Sequence, residues 1–291
     1  MNELVRKAEI LLEAMPYLQK YRGRVIVVKY GGNAMINEEL KNAVMHDIVL
    51  LKLLGMKPVL SHGGGPGINQ MLEQLSIPVK FIDGLRYTSE EIMRVVEMVL
   101  IGRVNTELVG YINKLGGRAV GLSGVSGGIY QCHQREERLG LVGEIDRVDA
   151  SAVQALLEAD FIPVIAPVGT DGQGHSFNIN GDTAAGKLAA ALGAEKLMLL
   201  TDIEGLCNDI QARDVISYLN VADVPALKEK GTISGGMIPK VDCCVQAVRE
   251  GVASVHIIDG RQPHSILYEA FSPEGSGTTV GAQRPSVGIK W

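Results

Sequence analysis

Six short runs rich in apolar and β-branched residues recur along the chain, separated by longer segments with helical spacing. The runs are RVIVVKY (24–30), KPVLSH (57–62), RAVGLS (118–123), FIPVIAPV (161–168), EKLMLLT (195–201) and ASVHIID (253–259). Strands that alternate with helices in this way indicate a parallel sheet covered by helices. We therefore expect an α/β fold with an open, mainly parallel central sheet sandwiched by helices.

Two of the intervening helices have recognisable starts. Thr88 followed by Glu91 has the spacing of a capping box, ahead of the apolar run IMRVVEMVL. Pro239 suits the first turn of a helix through KVDCCVQAVRE, because a residue in the first turn needs no N–H donor. These signals predict one helix after residue 88 and another around residue 239.

A separate amphipathic segment precedes the first strand and lies outside the alternation of strands and helices. Its apolar face consists of Leu4, Ala8, Leu11, Leu12 and Met15. Such a stripe needs a partner surface, which is either another subunit or the body of its own subunit. We expect residues 1–22 to form a helix used in oligomerisation, and we divide the remaining chain into lobes at 23–175 and 176–291.

The composition is typical of an ordinary globular protein. The 291 residues are 46% hydrophobic and carry a net charge of -5, which suits one large or two modest domains. No apolar run approaches the length of a membrane span, and three glutamates in the opening segment are unlike a signal peptide. We therefore expect a cytoplasmic protein, and its mild acidity disfavours nonspecific nucleic-acid binding. Metal-site spacing is absent from the cysteines, which indicates reduced thiols at Cys132, Cys207, Cys243 and Cys244.

The segment NINGDTAAGKL at 178–188 comes within one residue of the phosphate-binding signature G-x-x-x-x-G-K-[S/T]. A P-loop needs a hydroxyl after its lysine to reach Mg²⁺, and Leu188 has none. Asp182 would also place an anion inside a loop that must surround negative oxygens. A P-loop is therefore disfavoured here.

Two other glycine turns are better candidates for anion binding, because each follows an apolar strand and leads into a helical pattern. They are VVKYGGNAM, which contains Lys29, and VLSHGGGPGINQML, which contains His62. Glycine lets backbone N–H groups approach an anion, and the following helix N-terminus adds partial positive charge. Neither turn fits the dinucleotide fingerprint, since Ile68 stands where a third glycine is required. A third glycine-rich loop, GTISGGMIPKVD, carries Lys240 into another helix.

These segments, together with two others, resemble the amino acid kinase superfamily. The matching segments are VVKYGG, SHGGGPGIN, GLRYT, NINGDTAAGKLA, LLTDIEGL and SGGMIPK, spread over nearly the whole chain. Within the superfamily they are most similar to the N-acetylglutamate kinases of arginine biosynthesis, of the arginine-sensitive type. The chain departs from that pattern where Val125-Ser126-Gly127 replaces a Gly-Lys-Asp-Gly-like turn, and where Gly181 replaces the usual alanine.

The resemblance implies transfer of the γ-phosphoryl group of ATP to the side-chain carboxylate of N-acetyl-L-glutamate. Mg²⁺ would accompany ATP, bound mainly by phosphate oxygens and water rather than by an all-protein metal site. A carboxylate is already ionised at neutral pH, so the reaction needs no general base, and His62 is expected to be structural. Lys29 and Lys240 would clamp the transferring group from two sides, and Asp182 would lie between them and orient them.

By the same resemblance, Arg86 would bind the α-carboxylate of the substrate through its planar guanidinium. The other implied substrate-binding residues are Gly64, Gly65 and Asn178. The implied nucleotide-binding residues are Gly31, Gly32, Thr201, Asp202, Gly205, Ser234, Gly235, Gly236 and Met237. Accordingly, 23–175 is expected to bind the amino-acid substrate and 176–291 the nucleotide.

The two ends of the chain are similar to those of hexameric, arginine-inhibited members of the family. The N-terminal helix is one such feature, and the segment YEAFSPEGSGTTV resembles their arginine-binding segment. The residues implied to surround arginine are Tyr17, Lys196, Glu269, Ser272 and Gly277, with Glu269 pairing with the guanidinium. The resemblance therefore implies a homohexamer that L-arginine inhibits.

Two alternatives stay open. A sister kinase acting on glutamate, aspartate, carbamate or an aminoadipate derivative would use the same lysines, so only the segment 84–90 and Asn178 could discriminate it. A catalytically silent amino-acid sensor would keep the fold for binding alone. The presence of Lys29, Asp182 and Lys240 argues against a silent sensor.

Overall fold

An eight-stranded sheet runs through the centre of the structure, a computed structural model that describes residues 3–209, 214–272 and 275–283. The strands are β1 (Val25–Tyr30), β2 (Lys57–His62), β3 (Phe81–Ile82), β4 (Leu85–Arg86), β5 (Ala119–Ser123), β6 (Tyr130–Gln134), β7 (Gly143–Val148), β8 (Ile162–Ala166), β9 (Val168–Thr170), β10 (Ser176–Asn178), β11 (Lys196–Thr201), β12 (Cys207–Asp209), β13 (Asp214–Val215), β14 (Tyr218–Asn220), β15 (Ser254–Asp259) and β16 (Gly277–Gly281). The α-helices are α1 (Glu3–Tyr21), α2 (Glu38–Leu53), α3 (Gly65–Gln74), α4 (Glu90–Glu97), α5 (Thr106–Lys114), α6 (Ser151–Glu158), α7 (Gly181–Ala191), α8 (Val224–Glu229), α9 (Met237–Arg249) and α10 (Ser265–Phe271). A π-helix over Met98–Asn105 joins α4 to α5.

The strand order of the main sheet is β14-β16-β15-β11-β1-β2-β8-β5. The six apolar runs of the sequence supply β5, β8, β2, β1, β11 and β15, and each of these pairs in parallel with its neighbours in that set. β16 then joins β15 in antiparallel orientation, and β14 completes that edge. The predicted open, mainly parallel sheet is confirmed.

Successive residues of the central strands pack on opposite faces of the sheet, because side chains alternate along a strand. Val27 and Leu199 belong to a buried cluster that includes residues of α6, α7 and α9. Val28 and Met198 belong to a second buried cluster, with residues of α2, α5 and α10. Both faces are therefore apolar and covered by helices, as expected for parallel strands.

Several local features differ from the sequence predictions. A four-stranded sheet, β10-β9-β6-β7, was not predicted, and the run 161–168 divides between β8 and β9. The capping prediction at Thr88 was wrong by one residue. Ser89 is the N-cap of α4 and accepts from the N–H of Ile92, whereas Thr88 Oγ1 donates to the carbonyl of Arg86. The hydroxyl of Thr88 is used in the neighbouring hairpin and cannot cap the helix.

The altered turn after β5 forms a short 3₁₀ helix, Ser126–Gly128, that leads into β6. Gly127 has a φ of 62°, a left-handed conformation that glycine adopts without strain. Oγ of Ser126 accepts from the N–H of Ser123 at 3.1 Å. The substituted residues therefore still close a tight turn.

The N-terminal segment forms the predicted helix, α1. Leu12 and Met15 are 59% and 36% exposed, while Tyr21 is buried and Leu18 packs on the core. The side chains of Leu4, Ala8 and Leu11 lie outside the described part of the structure. A role in oligomerisation and the lobe boundary at residue 175 both stay predictions. Within the described ranges, no helix is long and apolar enough to cross a membrane.

Candidate active site

The central strands place the two glycine turns beside each other. β1 pairs in parallel with β2, with Tyr30 opposite His62. The N–H of Gly63 donates to the carbonyl of Tyr30 at 2.8 Å, which ties the second turn to the end of β1. Residues 31–32 and 63–65 therefore lie at the same edge of the sheet, where open α/β sheets bind ligands.

Three charged side chains from three different elements meet at this edge. Nζ of Lys29, from β1, lies 2.8 Å from Oδ1 of Asp182, and Nζ of Lys240, from α9, lies 2.7 Å from Oδ2. Asp182 is in the first turn of α7, where the N-cap residue Asn180 accepts from the N–H groups of Asp182 and Thr183. The side chains of Lys29, Asp182 and Lys240 are 13%, 17% and 20% exposed, so the cluster is screened from water but still accessible.

The opposite charges of this triad, Lys29, Asp182 and Lys240, stabilise one another. Burial alone would raise the pKa of Asp182, but the ammonium groups of Lys29 and Lys240 hold that pKa well below its usual range. Asp182 is therefore an anion at any physiological pH. With two ammonium groups and one carboxylate, the triad keeps one net positive charge, which suits the binding of a phosphoryl group.

A cleft of about 180 Å³ adjoins the triad. The residues that line it include the four expected substrate residues and neighbours of the triad: Gly63, Gly64, Gly65, Phe81, Arg86, Asn178, Asn180 and Gly181. The structure thus brings together Gly64 and Gly65 of the second turn, Arg86 of the β3–β4 hairpin and Asn178 of β10.

Arg86 is held in this cleft with an unused donor. Its Nη2 donates to Oδ1 of Asn69 at 2.6 Å, and its guanidinium carbon lies 4.9 Å from the centre of the Phe81 ring. Its Nη1 is buried and has no hydrogen-bond partner among the described residues. Leaving a buried donor unpaired is costly, so Arg86 is arranged to donate to an oxygen of a ligand.

Asn178 is connected to the Arg86 hairpin through Thr88. Nδ2 of Asn178 donates to Oγ1 of Thr88 at 3.1 Å, and that hydroxyl donates to the carbonyl of Arg86. Thr88 is buried. The hydrogen bond to Thr88 fixes the NH₂ end of the Asn178 amide and therefore also fixes the direction of its amide oxygen.

The first glycine turn is crowded by charged side chains. A Cβ on Gly31 would lie 2.8 Å from Nζ of Lys29, and a Cβ on Gly32 would lie 2.9 Å from Oδ2 of Asp202. Gly32 also has a φ of 71°. Glycine at these positions lets the backbone approach both Lys29 and the end of β11, where the nucleotide-binding residues are expected.

Two of the expected nucleotide-binding residues have clear structural roles. Oγ1 of Thr201 donates to the carbonyls of Ile203 and Ile258 at 3.1 and 3.3 Å, so its hydroxyl is used within the fold. Gly205 has a φ of 149°, and a Cβ there would lie 2.8 Å from Oγ1 of Thr278. Both residues shape the loop after β11, and contact with a nucleotide stays a prediction.

The third glycine-rich loop, 234–237, leads directly into α9. Ser234, Gly235 and Gly236 are exposed, and the N–H of Met237 donates to the carbonyl of Ser234 at 3.1 Å. Lys240 follows within the first turns of the helix. The loop therefore lies beside the triad, open to solvent.

A second buried cluster lies away from the cleft and contains two of the residues expected to bind arginine. Nζ of Lys196 lies 3.3 Å from Nε2 of His256, and Nδ1 of His256 lies 2.5 Å from Oε1 of Glu269. The N–H of Ser276 donates to Oε2 of Glu269 at 2.6 Å. Burial lowers the pKa of Lys196 to about 8. Its ammonium also lies 5.1 Å from the centre of the Tyr21 ring of α1, so α1 contacts this cluster.

The other three residues expected to bind arginine, Tyr17, Ser272 and Gly277, lie in α1, at the end of α10 and at the start of β16. Tyr17 is half-buried on α1, and Oγ of Ser272 accepts from the N–H of Gly275 at 3.2 Å. Gly277 begins β16, where a Cβ would lie 2.0 Å from the carbonyl oxygen of Ile257. A cavity of about 480 Å³ opens along 275–277. Arginine binding here stays a prediction.

Sequence reasoning missed several residues that the structure places at these sites. Asn69 was given no role although it ends the matching segment SHGGGPGIN, and Asn105 carries no sequence signal because its partners are distant in the chain. Sγ of Cys243 donates to the carbonyl of Asp182 at 3.1 Å, and its position three residues after Lys240 could have indicated a shared helix face. His256 interrupts an otherwise apolar strand, which is a recognisable signal for a buried polar contact. Within the described residues, no three His, Cys, Asp or Glu side chains form a group able to hold a metal ion.

The fold and the charged site are those expected of a kinase, and comparison with known proteins agrees with that class. The chain belongs to the amino acid kinase family, whose model matches residues 24–259. It is 51% identical to the acetylglutamate kinase of Heliobacterium modesticaldum, over 96% of this chain and 99% of that protein. The acetylglutamate kinases of Pelotomaculum thermopropionicum and Caldicellulosiruptor bescii are 50% and 47% identical, over 94% and 96% of this chain and 97% and 98% of their own lengths. The predicted resemblance to N-acetylglutamate kinases is confirmed.

Solved structures share the fold at lower identity. N-acetylglutamate synthase from Neisseria gonorrhoeae, complexed with coenzyme A and N-acetyl-glutamate, matches 95% of this chain with a TM-score of 0.84 and 24% identity. The chain spans only 64% of the length of that synthase. Carbamate kinase from Giardia lamblia matches 90% of this chain with a TM-score of 0.66 and 17% identity. These likenesses concern the fold alone, because one fold hosts many functions.

Proposed function

We propose that the chain transfers the γ-phosphoryl group of ATP to the side-chain carboxylate of N-acetyl-L-glutamate, forming an acyl phosphate for arginine biosynthesis. The observation that carries this proposal is the triad of Lys29, Asp182 and Lys240 beside a cleft that contains Arg86. The triad supplies positive charge where a phosphoryl group would transfer, and Arg86 supplies an unpaired donor where a second anionic group would bind. The names of the relatives support the same substrates.

The chemistry asks for positioning and charge rather than proton transfer. The acceptor carboxylate is ionised at neutral pH, so its oxygen attacks the γ-phosphorus directly and ADP leaves. Two anions must approach each other in line, and the ammonium groups of Lys29 and Lys240 offset their repulsion on either side of the transferring group. Asp182 holds both ammonium groups at one spacing. The N–H groups near Gly32 and Gly64 donate to the phosphoryl oxygens.

Mg²⁺ bound with ATP would neutralise part of the phosphate charge. A nucleotide-borne Mg²⁺ keeps several waters and uses one or two carboxylates at most. The carboxylate of Asp202, which faces the turn at Gly32, fits that requirement. Asp182 does not, because both of its oxygens are engaged by lysines.

Arg86 and Asn178 give the site its preference for an acylated amino acid. The unpaired Nη1 of Arg86 donates to the α-carboxylate of the substrate. The amide oxygen of Asn178 accepts from the substrate N–H. A sister kinase would differ in the segment 84–90 or at Asn178, so the preferred acceptor decides between these activities.

A coupled assay of ADP release with a panel of acceptors tests the proposal. The panel contains N-acetyl-L-glutamate, L-glutamate, L-aspartate, carbamate and N-acetyl-L-aminoadipate, and the Lys29→Met variant serves as the background control. We expect N-acetyl-L-glutamate to give the highest kcat/KM. A higher kcat/KM for another acceptor would assign the chain to a sister kinase activity. An absence of turnover with every acceptor would favour the catalytically silent amino-acid sensor.

We also propose that L-arginine inhibits the enzyme and that the chain forms a homohexamer through α1. The cluster of Lys196, His256 and Glu269 supports this, because the buried carboxylate of Glu269 can pair with a guanidinium and Lys196 contacts Tyr21 of α1. Arginine would need to bind the less active arrangement more tightly, with a coupling of about 1–3 kcal/mol. The exposed Leu12 and Met15 provide an apolar face for a neighbouring subunit.

Deletion of residues 1–20 tests both parts of this regulatory proposal. The intact chain is expected to sediment as a hexamer and to lose activity in millimolar L-arginine. The deletion variant is expected to sediment as a smaller species, to keep its kcat, and to lose the inhibition. A dimeric intact chain that ignores millimolar L-arginine contradicts the regulatory proposal and leaves the kinase proposal intact.

A further inference from the structure

Two buried polar side chains stand behind the second glycine turn, and the reaction proposed above uses neither directly. They are His62, the last residue of β2, and Asn105, the last residue of the π-helix. Nδ1 of His62 lies 2.8 Å from the carbonyl oxygen of Gly63. Nε2 of His62 lies 3.0 Å from Nδ2 of Asn105. Both ring nitrogens are therefore engaged.

Asn105 determines which ring nitrogen of His62 carries the proton. Its Nδ2 also lies 2.9 Å from the carbonyl oxygen of Val164 and 3.2 Å from that of Leu122. Carbonyl oxygens only accept hydrogen bonds, so the NH₂ end of the amide must face them. An amide nitrogen cannot accept a hydrogen bond, so Nε2 of His62, which lies 3.0 Å from this NH₂ group, must be unprotonated. The neutral ring therefore carries its proton on Nδ1, which donates to the carbonyl of Gly63.

This hydrogen bond fixes the peptide plane between Gly63 and Gly64. In a trans peptide the C=O and the next N–H lie in one plane and point in opposite directions. Holding the carbonyl of Gly63 therefore sets the direction of the N–H of Gly64, which borders the cleft. No protein group accepts from that N–H within the described chain. It is free to donate to a ligand.

The π-helix supports the same turn at two points. A Cβ on Gly64 would lie 2.4 Å from Cδ2 of Leu100, so this side chain packs directly on the turn. A Cβ on Gly121 of β5 would lie 2.0 Å from Oδ1 of Asn105, so the amide fits only because residue 121 is glycine. π-Helical turns occur frequently at functional sites. Here the π-helix carries both Leu100 and Asn105 to the back of the turn.

We infer that His62 and Asn105 are positioning residues for phosphoryl transfer: they aim the N–H of Gly64 at an oxygen of the transferring group. The inference rests on the proposed function for the identity of the reaction, whereas the hydrogen-bond geometry does not depend on it. Burial lowers the pKa of His62 to about 4, so the ring stays neutral across the working pH range. Its hydrogen bonds to Asn105 and to the carbonyl of Gly63 therefore persist.

The ring protonation is measured directly in the unaltered protein. Two-dimensional NMR of ¹⁵N-histidine-labelled enzyme, with His62 assigned from the spectrum of His62→Asn, distinguishes the two neutral tautomers and the imidazolium. We expect His62 to be the Nδ1–H tautomer and not to titrate between pH 5.5 and 8.5. A ring protonated on Nε2, or one that titrates near pH 6.5, overturns the inference whatever acceptor the enzyme uses.

Three variants test the consequence for turnover, each assayed with whichever acceptor of the panel turns over fastest. His62→Leu removes the donor, and kcat should fall about 30-fold, less than when a transition-state donor is deleted outright. His62→Asn keeps an amide donor at the position of Nδ1 and should recover most of that loss. Gly121→Ala displaces Asn105 and should lower kcat about tenfold. KM for both substrates should stay within about twofold throughout, because the N–H acts mainly in the transition state.

The exposed His133, whose Nδ1 lies 2.8 Å from Oδ1 of Asp146, provides the matched control His133→Gln, which should leave kcat unchanged. Equal losses of kcat in His62→Leu and His62→Asn, or a loss confined to KM, overturn the positioning role. A failure of the proposed function is seen separately, as the absence of turnover with N-acetyl-L-glutamate in the unaltered enzyme.

Discussion

Replacing Asp182 by asparagine tests the centre of the proposed mechanism with almost no change in shape. The substitution removes the one negative charge between the ammonium groups of Lys29 and Lys240, which lie 2.8 and 2.7 Å from its oxygens. At an effective dielectric constant of about 20, unit charges roughly 3 Å apart attract by about 5 kcal/mol. Asp182→Asn therefore frees two side chains that would otherwise be held at one spacing by a strong attraction.

We expect kcat to fall about 100-fold, which corresponds to about 3 kcal/mol of transition-state stabilisation. Both ammonium groups remain and still attract the phosphates of ATP, so KM for either substrate should stay within about threefold. The fold should persist, because α7 keeps its N-cap at Asn180.

Steady-state kinetics with both substrates varied, together with thermal melts, measures these effects. Asp160→Asn is the matched control, because Oδ1 of Asp160 also pairs with a lysine, Lys52, but its side chain is 75% exposed. A surface pair contributes about 0–1 kcal/mol, so this control should keep its kcat. A kcat for Asp182→Asn within about threefold of the parent, or a large rise in KM at unchanged kcat, would refute the organising role.

Four further predictions follow from the same geometry. Lys29→Met and Lys240→Met should each keep the fold in circular dichroism and lose about 3–4 kcal/mol of transition-state stabilisation; turnover within about threefold of the parent would remove that lysine from the mechanism. Arg86→Ala should raise KM for the acylated amino acid far more than it lowers kcat, and an unchanged KM would move the carboxylate site elsewhere. Gly181→Ala should raise the free energy of unfolding by about 0.4–1 kcal/mol and keep activity, because the new Cβ would lie an ordinary 3.5 Å from Cε of Lys29; a lower Tm would contradict this. Burial raises the pKa of Asp47 from 3.8 to about 6, so its protonated form is favoured by folding and the stability it contributes is lost as pH rises through 6. Asp47→Asn should therefore stabilise the protein by up to about 3 kcal/mol more at pH 8 than at pH 4 in urea unfolding, and an equal effect at both values would refute the shift.

Six of the eight strands of the central sheet could be predicted, because they read as apolar runs and most of their residues are buried. β14 and β16, which form one edge of that sheet, were not predicted. The four-stranded sheet could not be predicted, since strands such as Tyr130–Gln134 are short and half-polar. At Thr88, two hydroxyl residues stand side by side in the sequence, and tertiary bonding to the carbonyl of Arg86 decided which one caps α4. Local capping signals do not contain that information.

The candidate site divides in the same way. Lys29, Asp182 and Lys240 stand in recognisable motifs, and the resemblance placed them together although they are far apart in the chain. The partners that hold the site were missed, because they act through the fold. Asn69 reaches Arg86 from α3, and Asn105 reaches His62 from the π-helix. Asn69 stands in the matching segment SHGGGPGIN, but nothing there marks it as a partner of Arg86, and no pattern marks Asn105 as different from a surface asparagine.

The most direct test of the central claim is to trap and identify the product. The purified chain is incubated with ATP, Mg²⁺ and N-acetyl-L-glutamate in the presence of hydroxylamine, and the hydroxamate is analysed by mass spectrometry with fragmentation. An acyl phosphate on the side-chain carboxylate predicts the γ-hydroxamate of N-acetylglutamate, formed in equal amount to ADP and absent with Lys29→Met. ADP formation without a hydroxamate, or a hydroxamate on the α-carboxylate, would contradict the account.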